Sequence, residues 1–308
     1  MQKTDIKSAM NEKDGFQIWW RLLRPHTLTA SFIPVFVGSM LAFTDGAFRF
    51  TIFMAMLLAS ILIQSATNMF NEYYDHARGL DTEHSVGIGG TIVRDGIKPK
   101  TVLNIAFLFF GIAILLGIYI CIHSSWWIAV IGLICMLFGY LYTGGPLPIA
   151  YTPFGELFAG FFMGTVIIGI SYYIQTLTMN SSVIWVSVPI AIFIGTILLA
   201  NNIRDLDGDK ENGRKTIAIL LGRKKAILFL ACLFAIAFIL TGILIITGIL
   251  PVWSIISFLA IFKAWSVIQQ YKGKTKPIEM MPAMAATGKT NTIYGLLLGI
   301  SLFISKFL

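Results

Sequence analysis

NMFNEYYDHARGLD, residues 68–81, and NNIRDLDGDKENGRKT, residues 201–216, carry the reading of the whole chain. Each stretch opens at the end of a long apolar run. Each gathers charge that the chain elsewhere nearly lacks. Of 15 acidic residues, eight fall in or beside these stretches: Glu72, Asp75, Asp81 and Glu83, then Asp205, Asp207, Asp209 and Glu211.

Working outward, the chain has 308 residues, 56% of them hydrophobic and 12% charged, with a mean hydropathy of +0.80. A soluble domain carries roughly 25% charged residues. Half that supply cannot coat a soluble surface of this size, which excludes a cytosolic globular enzyme and a disordered chain. The apolar residues fall in blocks near the bilayer-crossing length of about 20 residues. Nine spans are expected, at about 27–43, 50–70, 102–122, 126–143, 154–174, 183–203, 226–247, 251–270 and 291–308. Helix is the expected conformation because backbone groups in lipid must be satisfied within their own segment. The fold class is therefore an all-α integral membrane bundle of nine transmembrane helices, a single domain over 1–308. Residues 1–26 are polar and basic and read as a cytoplasmic N-terminal segment, not a cleavable signal. Cys121, Cys135 and Cys232 sit singly in apolar runs and read as small buried hydrophobes.

Lysine and arginine alternate with the spans. The N-terminal segment and the loops after spans 2, 4, 6 and 8 carry five, four, none, seven and four, which is 20 of the 23. The positive-inside rule then predicts a cytoplasmic N-terminus and an external C-terminus. The net charge of +8 is read as topology and attraction to anionic membrane lipid, with no nucleic acid as partner. Both acidic stretches face the cytoplasm in this arrangement.

Asn71 and Asp75 are i, i+4 and share a helix face, with Asn68 on the same side. Gly79 allows the chain to turn and bring Asp81 back. Asn201, Asp205 and Asp209 share a face if the helix continues through Gly208. The two Asn-x-x-x-Asp pairs lie 130 residues apart, a hint of an internal duplication. Clustered carboxylates repel unless a cation neutralises them. Oxygen ligands without His or Cys spacing select a hard cation such as Mg²⁺, which prefers a few carboxylates together with substrate phosphates. Two facing Asp sets fit a diphosphate held through Mg²⁺, with Arg78, Arg94, Arg204, Arg214 and Lys215 near enough in sequence to meet phosphate charge. VGIGGTIVRDG, residues 86–96, has the glycine content of a phosphate cradle. Glu83, Lys210, Glu211 and Lys224 read as solvated loop charges, and His76 points away from the Asp face.

These residues resemble the UbiA superfamily of intramembrane aromatic prenyltransferases, which has nine helices and Asp-rich motifs at the cytoplasmic ends of the second and sixth. The motifs here are Asn71-x3-Asp75-x5-Asp81 and Asp205-x3-Asp209, with Asn201 ahead of the second. RPHTLTASFIPVFVG (24–38) is similar to the family's first helix, and 86–96 to the loop after its first motif. The DxxxGxD form of the first motif, YTGGPLPIAY (142–151) followed by Gly155 and Glu156, and a second motif with Arg204 and Lys215 resemble the branch acting on 1,4-dihydroxy-2-naphthoate. His26 departs from the pattern, where an aromatic such as Trp is expected.

The resemblance implies a polyprenyl diphosphate from the lipid and an aromatic acid acceptor from the cytoplasm, joined at the cell membrane on its cytoplasmic side. Mg²⁺ neutralises the leaving diphosphate, and the allylic cation is quenched by the ring with loss of CO₂, giving demethylmenaquinol in menaquinone biosynthesis. It implies Asn71, Asp75, Asp81, Asp205 and Asp209 as metal ligands, supported by Asn68 and Asn201. Arg94, Arg204 and Lys215 are expected on the diphosphate, and Arg24 on the acceptor carboxylate. Tyr140, Tyr142, Tyr172 and Tyr173 are candidates for stabilising the cation. Another acceptor, 4-hydroxybenzoate or homogentisate, is the nearest alternative. A cation-coupled transporter is the reading from another class, but the middles of the spans offer almost no ionisable residue for a path across.

Overall fold

The computed structural model describes residues 12–87 and 89–308, so Lys3 and Lys7 of the basic N-terminal segment, and Ile88 of the glycine-rich loop, lie outside the described residues. The described residues form helices and loops with no strand. The order is α1 (Phe16–Leu22), α2 (Thr29–Thr44), α3 (Phe50–Ala77), α4 (Pro99–His123), α5 (Trp127–Leu141), α6 (Gly155–Thr176), α7 (Ser181–Glu211), α8 (Ile217–Leu221), α9 (Arg223–Ile246), α10 (Val252–Tyr271) and α11 (Pro277–Ser305). Six of these, α3, α4, α6, α7, α9 and α10, are long and apolar enough to cross a membrane, and α2 and α5 are shorter apolar helices.

The last expected span begins too late. The sequence puts it at 291–308, with Lys289 in a loop, but α11 starts at Pro277 and Lys289 is an exposed residue within it. Pro277 pre-sets the first helical turn. The following residues bury Ala283, Ala286, Thr287 and Gly288, which suit close helix approach without giving a hydrophobic run.

α7 is the central helix: 67% of its apolar window is buried, against 22% for α4. One core cluster joins α2, α7, α9, α10 and α11, and a second joins α2 through α6. Close approaches are set by small residues. A Cβ on Gly164 of α6 would lie 2.6 Å from Ala191 Cα on α7. Within α6, Gly160–Val166 is π-helical, a local widening often found at functional sites.

α3 has 28 residues and α7 has 31. At 1.5 Å per residue they run to about 42 and 46 Å, beyond the roughly 30 Å of hydrocarbon. Both therefore exceed the thickness of the apolar layer, and the acidic motifs lie at their C-terminal ends. α7 continues unbroken through Gly208, so Asn201, Asp205 and Asp209 do share one helix. α3 ends where Gly79 takes φ +72°. That turn lets the Leu80 and Asp81 N–H groups both donate to the Asp75 carbonyl, at 2.9 and 3.4 Å, and brings Asp81 back beside the first motif.

Candidate active site

A cavity of about 490 Å³ opens between α2, α3, α4, α5, α6 and α7. Its polar end is lined by Arg24, His26, Asn71, Asp75, Arg204, Asp205, Asp209 and Arg214. Its apolar end is lined by α4 and α5 residues such as Ala113, Gly117, Ile118, Gly132, Leu133 and Met136. The two acidic motifs, 130 residues apart in the chain, thus share one chamber.

Arg214 joins them. Its guanidinium donates to Asp75 Oδ1 at 3.0 Å and contacts Asp209 Oδ1 at 3.1 Å, while lying over the Tyr151 ring at 4.9 Å. Burial opposes the Arg214 charge, but Asp75 and Asp209 outweigh it and hold the guanidinium above its ordinary pKa. Asn71 donates to the other oxygen of Asp75 at 3.1 Å. Arg204 grips Asp205 through two hydrogen bonds of 2.7 and 2.5 Å. Asp81 lies beside Asp75, and burial first, then the Asp75 charge, push its carboxyl up to about 7. His26 goes the other way: burial, then Arg24 and Arg204, lower its imidazole to about 4.

Several buried polar atoms at this end have no partner among the described residues: Asp81 Oδ2, Asn201 Oδ1, and Nε and Nη2 of Arg24. Buried polar groups are ordinarily satisfied, so these orphans point to a ligand. Arg24 also holds φ +51° ahead of a proline, a conformation that costs a non-glycine residue and persists where surroundings impose it. The carboxylates do not close on one point; among the described residues no group of three or more His, Cys, Asp or Glu stands ready to hold a metal. The donor set still fits a hard cation. It is all oxygen, two of its oxygens are unclaimed, and the countercharge between Asp75 and Asp209 is supplied by the Arg214 side chain.

The expected site residues divide into three groups. Asn68, Asn71, Asp75, Asn201, Arg204, Asp205, Asp209, Arg24 and Tyr142 all line the cavity. Asp81 flanks it. Arg94 and Lys215 are not among the residues that line it. Arg94 donates to both oxygens of Glu12, at 3.0 and 2.7 Å, and to Ser85 O, so it ties the N-terminal segment to the 85–95 loop. Lys215 is exposed, anchored by its backbone N–H on Tyr151 O. Arg78 donates to Thr143 O and Gly145 O and pins the α5–α6 turn. Tyr140 is spent on Tyr74 at 2.5 Å, and Tyr172 on Asp45 at 2.5 Å. Of the four tyrosines considered, the cavity takes Tyr142. Its aromatic wall is instead Phe138, Phe158 and Phe162, with Phe138 and Phe162 stacked at 4.4 Å.

The glycine-rich loop sits over the site with its glycines against buried charge. Gly87 lines the cavity with φ +85°, and a Cβ there would overlap the Arg204 guanidinium. Glu72, which the spacing argument left unassigned, accepts the Ile92 N–H at 3.2 Å and holds the loop down.

The family model described as the UbiA prenyltransferase family matches residues 31–303. The chain is 53% identical to the 1,4-dihydroxy-2-naphthoate octaprenyltransferase of Bacillus subtilis (strain 168), over 99% of this chain and 98% of the relative. It is 24% identical to the enzyme of that name from Escherichia coli (strain K12), over 94% and 96% of the two chains. Among solved structures, a UbiA homolog from Aeropyrum pernix K1 superposes with a TM-score of 0.69 at 15% identity, covering 91% of this chain and 98% of that one. A UbiA homolog from Archaeoglobus fulgidus bound to GPP and Mg²⁺ superposes with a TM-score of 0.65 at 18% identity, covering 91% and 99%. At those identities the likeness is one of fold.

Proposed function

Since the chain belongs to the UbiA prenyltransferase family, we propose that its cavity is where a polyprenyl diphosphate meets 1,4-dihydroxy-2-naphthoate. The chain is an aromatic polyprenyltransferase of menaquinone biosynthesis, releasing diphosphate and CO₂ as demethylmenaquinol forms. The observation that carries this reading is the union of both acidic motifs, through Arg214, at the polar end of a cavity whose other end is apolar.

Asn71, Asp75, Asp81, Asp205 and Asp209 would hold Mg²⁺, with Asn68 and Asn201 in support. The ion supplies charge neutralisation for the departing diphosphate. Arg24, with two unclaimed buried donors, and Arg204, under the glycine-rich loop, meet anionic substrate groups at that end. Arg214 exchanges its carboxylate partners for phosphate. The Phe138, Phe158 and Phe162 faces stabilise an allylic cation and keep water from it. The apolar end takes the isoprenoid chain. The nine spans are α2 to α7 and α9 to α11, with the N-terminus cytoplasmic, the C-terminus external and the site facing the cytoplasm of the cell membrane.

The test is an acceptor assay with purified protein, Mg²⁺, a polyprenyl diphosphate and a panel of aromatic acids. Consumption of the naphthoate with CO₂ release is expected. Prenylated 4-hydroxybenzoate that keeps its carboxylate would overturn the acceptor. Asp75→Asn and Asp205→Asn should each abolish turnover while the protein still inserts; near-normal activity in either would sink the assigned site.

A further inference from the structure

Glu156 is a buried carboxylate that the reaction above does not use. It stands in the first turn of α6, with one oxygen accepting from Asn202 Nδ2 at 2.9 Å and the other, Oε2, buried without a partner among the described residues. Asn202 belongs to α7, beside Asn201, and lines the cavity. A carboxylate only accepts, so Glu156 dictates which way the Asn202 amide faces. Its nitrogen is turned to Glu156, so the amide oxygen is the group this cavity-lining residue keeps for another partner.

Most other neutral polar groups on the wall are already committed. Asn68 gives its amide to Leu23 O and Thr27 Oγ1, at 2.9 and 3.0 Å. Thr67 donates to Ile63 O, and Thr27 to Arg24 O. Tyr142 shares the Asn202 wall. A Cβ on Gly155, next to Glu156, would lie 3.4 Å from the Tyr142 hydroxyl oxygen and 3.5 Å from Leu198. Leu198 is one helical turn before Asn202, on the same face of α7. The anion-binding groups, Arg24 and Arg204, belong to the diphosphate and carboxylate end. A neutral oxygen acceptor held rigidly beside a tyrosine hydroxyl matches a phenolic O–H.

We propose that Asn202, oriented by Glu156, accepts a hydrogen bond from a ring hydroxyl of the aromatic acceptor, making Glu156 a positioning residue for acceptor selection. This rests on the prenyltransferase reading and names the acceptor subsite within it. Binding energy placed there is used on the acceptor and not on the prenyl donor, so the two Michaelis constants should separate.

The experiment measures KM for 1,4-dihydroxy-2-naphthoate and for the polyprenyl diphosphate in Asn202→Ala, Glu156→Ala and Glu156→Gln. Loss of one such hydrogen bond is expected to raise the acceptor KM about tenfold in the two alanine variants, with the diphosphate KM within about twofold of wild type. Glu156→Gln keeps a carbonyl oxygen for Asn202 and should stay within about threefold. The proposal fails if Asn202→Ala leaves the acceptor KM unchanged, if both KM values rise together, or if Glu156→Gln behaves as Glu156→Ala. Should Glu156→Ala not insert, the other two variants decide. A wild-type protein that ignores the naphthoate overturns the functional reading alone, and the split is then read with the acceptor it does consume.

Discussion

At the scale of the residue, the site is a set of charges balanced inside the chain. Arg214 stands between Asp75 and Asp209, whose side chains are 8% and 12% exposed. Removing it leaves two buried carboxylates facing each other, which costs several times what an exposed pair would. Arg214→Ala should therefore lower the thermal midpoint more in EDTA than in Mg²⁺, as read by a melting series in detergent. His26 gives a pH signature of its own. Its imidazole is held near 4 in the folded protein against 6.5 when free. Between those values the unfolded chain binds the extra proton, so stability rises with pH and is lost as pH falls from 6.5 toward 4. His26→Phe should flatten that limb, removing roughly 3 kcal/mol of acid sensitivity by pH 4. The motif residues were legible because helical spacing places them on one face whatever lies around them. The partner of Arg94 was not, because Glu12 lies 82 residues earlier and no local pattern links them. Arg214 was visible as a basic neighbour, but its bridging position depends on the turn after α7.

At the scale of the element, the helices are placed by small residues more than by greasy ones. A Cβ on Gly38 would lie 2.5 Å from Ile168 O, and one on Gly164 would lie 2.6 Å from Ala191 Cα; both obstacles are backbone and cannot swing aside. Gly132 meets nothing within 4 Å and faces the cavity. Gly38→Ala and Gly164→Ala should each destabilise by about 1–3 kcal/mol, whereas Gly132→Ala should leave the melting temperature within a degree or two. Hydropathy reads such helices poorly. The start of α11 was missed because its Ala, Gly and Thr are apolar enough to be buried but not to register as a span. The long α3 and α7 were read correctly in kind and too short in extent, since their last turns are polar by design of the site.

At the scale of the whole molecule, the proposed orientation puts the exposed Lys272, Lys274 and Lys276 on the cytoplasmic side. Trypsin should cut after Lys272 and Lys274 in inside-out vesicles and spare the same bonds in right-side-out ones, the Lys276–Pro277 bond resisting it in both; the reverse would invert the assigned topology. The charge pattern was enough to predict this, because lysines between spans report which side a loop occupies and not how helices pack. The pairing of α6 with α7 across Gly164, and the cavity between them, lay beyond it.

α4 forms much of the apolar wall, yet most of its apolar window is uncovered by protein. Phe107, Leu108, Leu115 and Ile122 look outward while Ala113 and Gly117 look in. On the proposed binding mode, a single layer of α4 side chains would separate the isoprenoid from its surroundings. The acyl chains of the host bilayer press on that layer and become, in effect, the outer skin of the reaction vessel. Turnover in a short-chain detergent and in a thick bilayer should differ with no change to the protein, because the wall that shapes the substrate is only half made of amino acids.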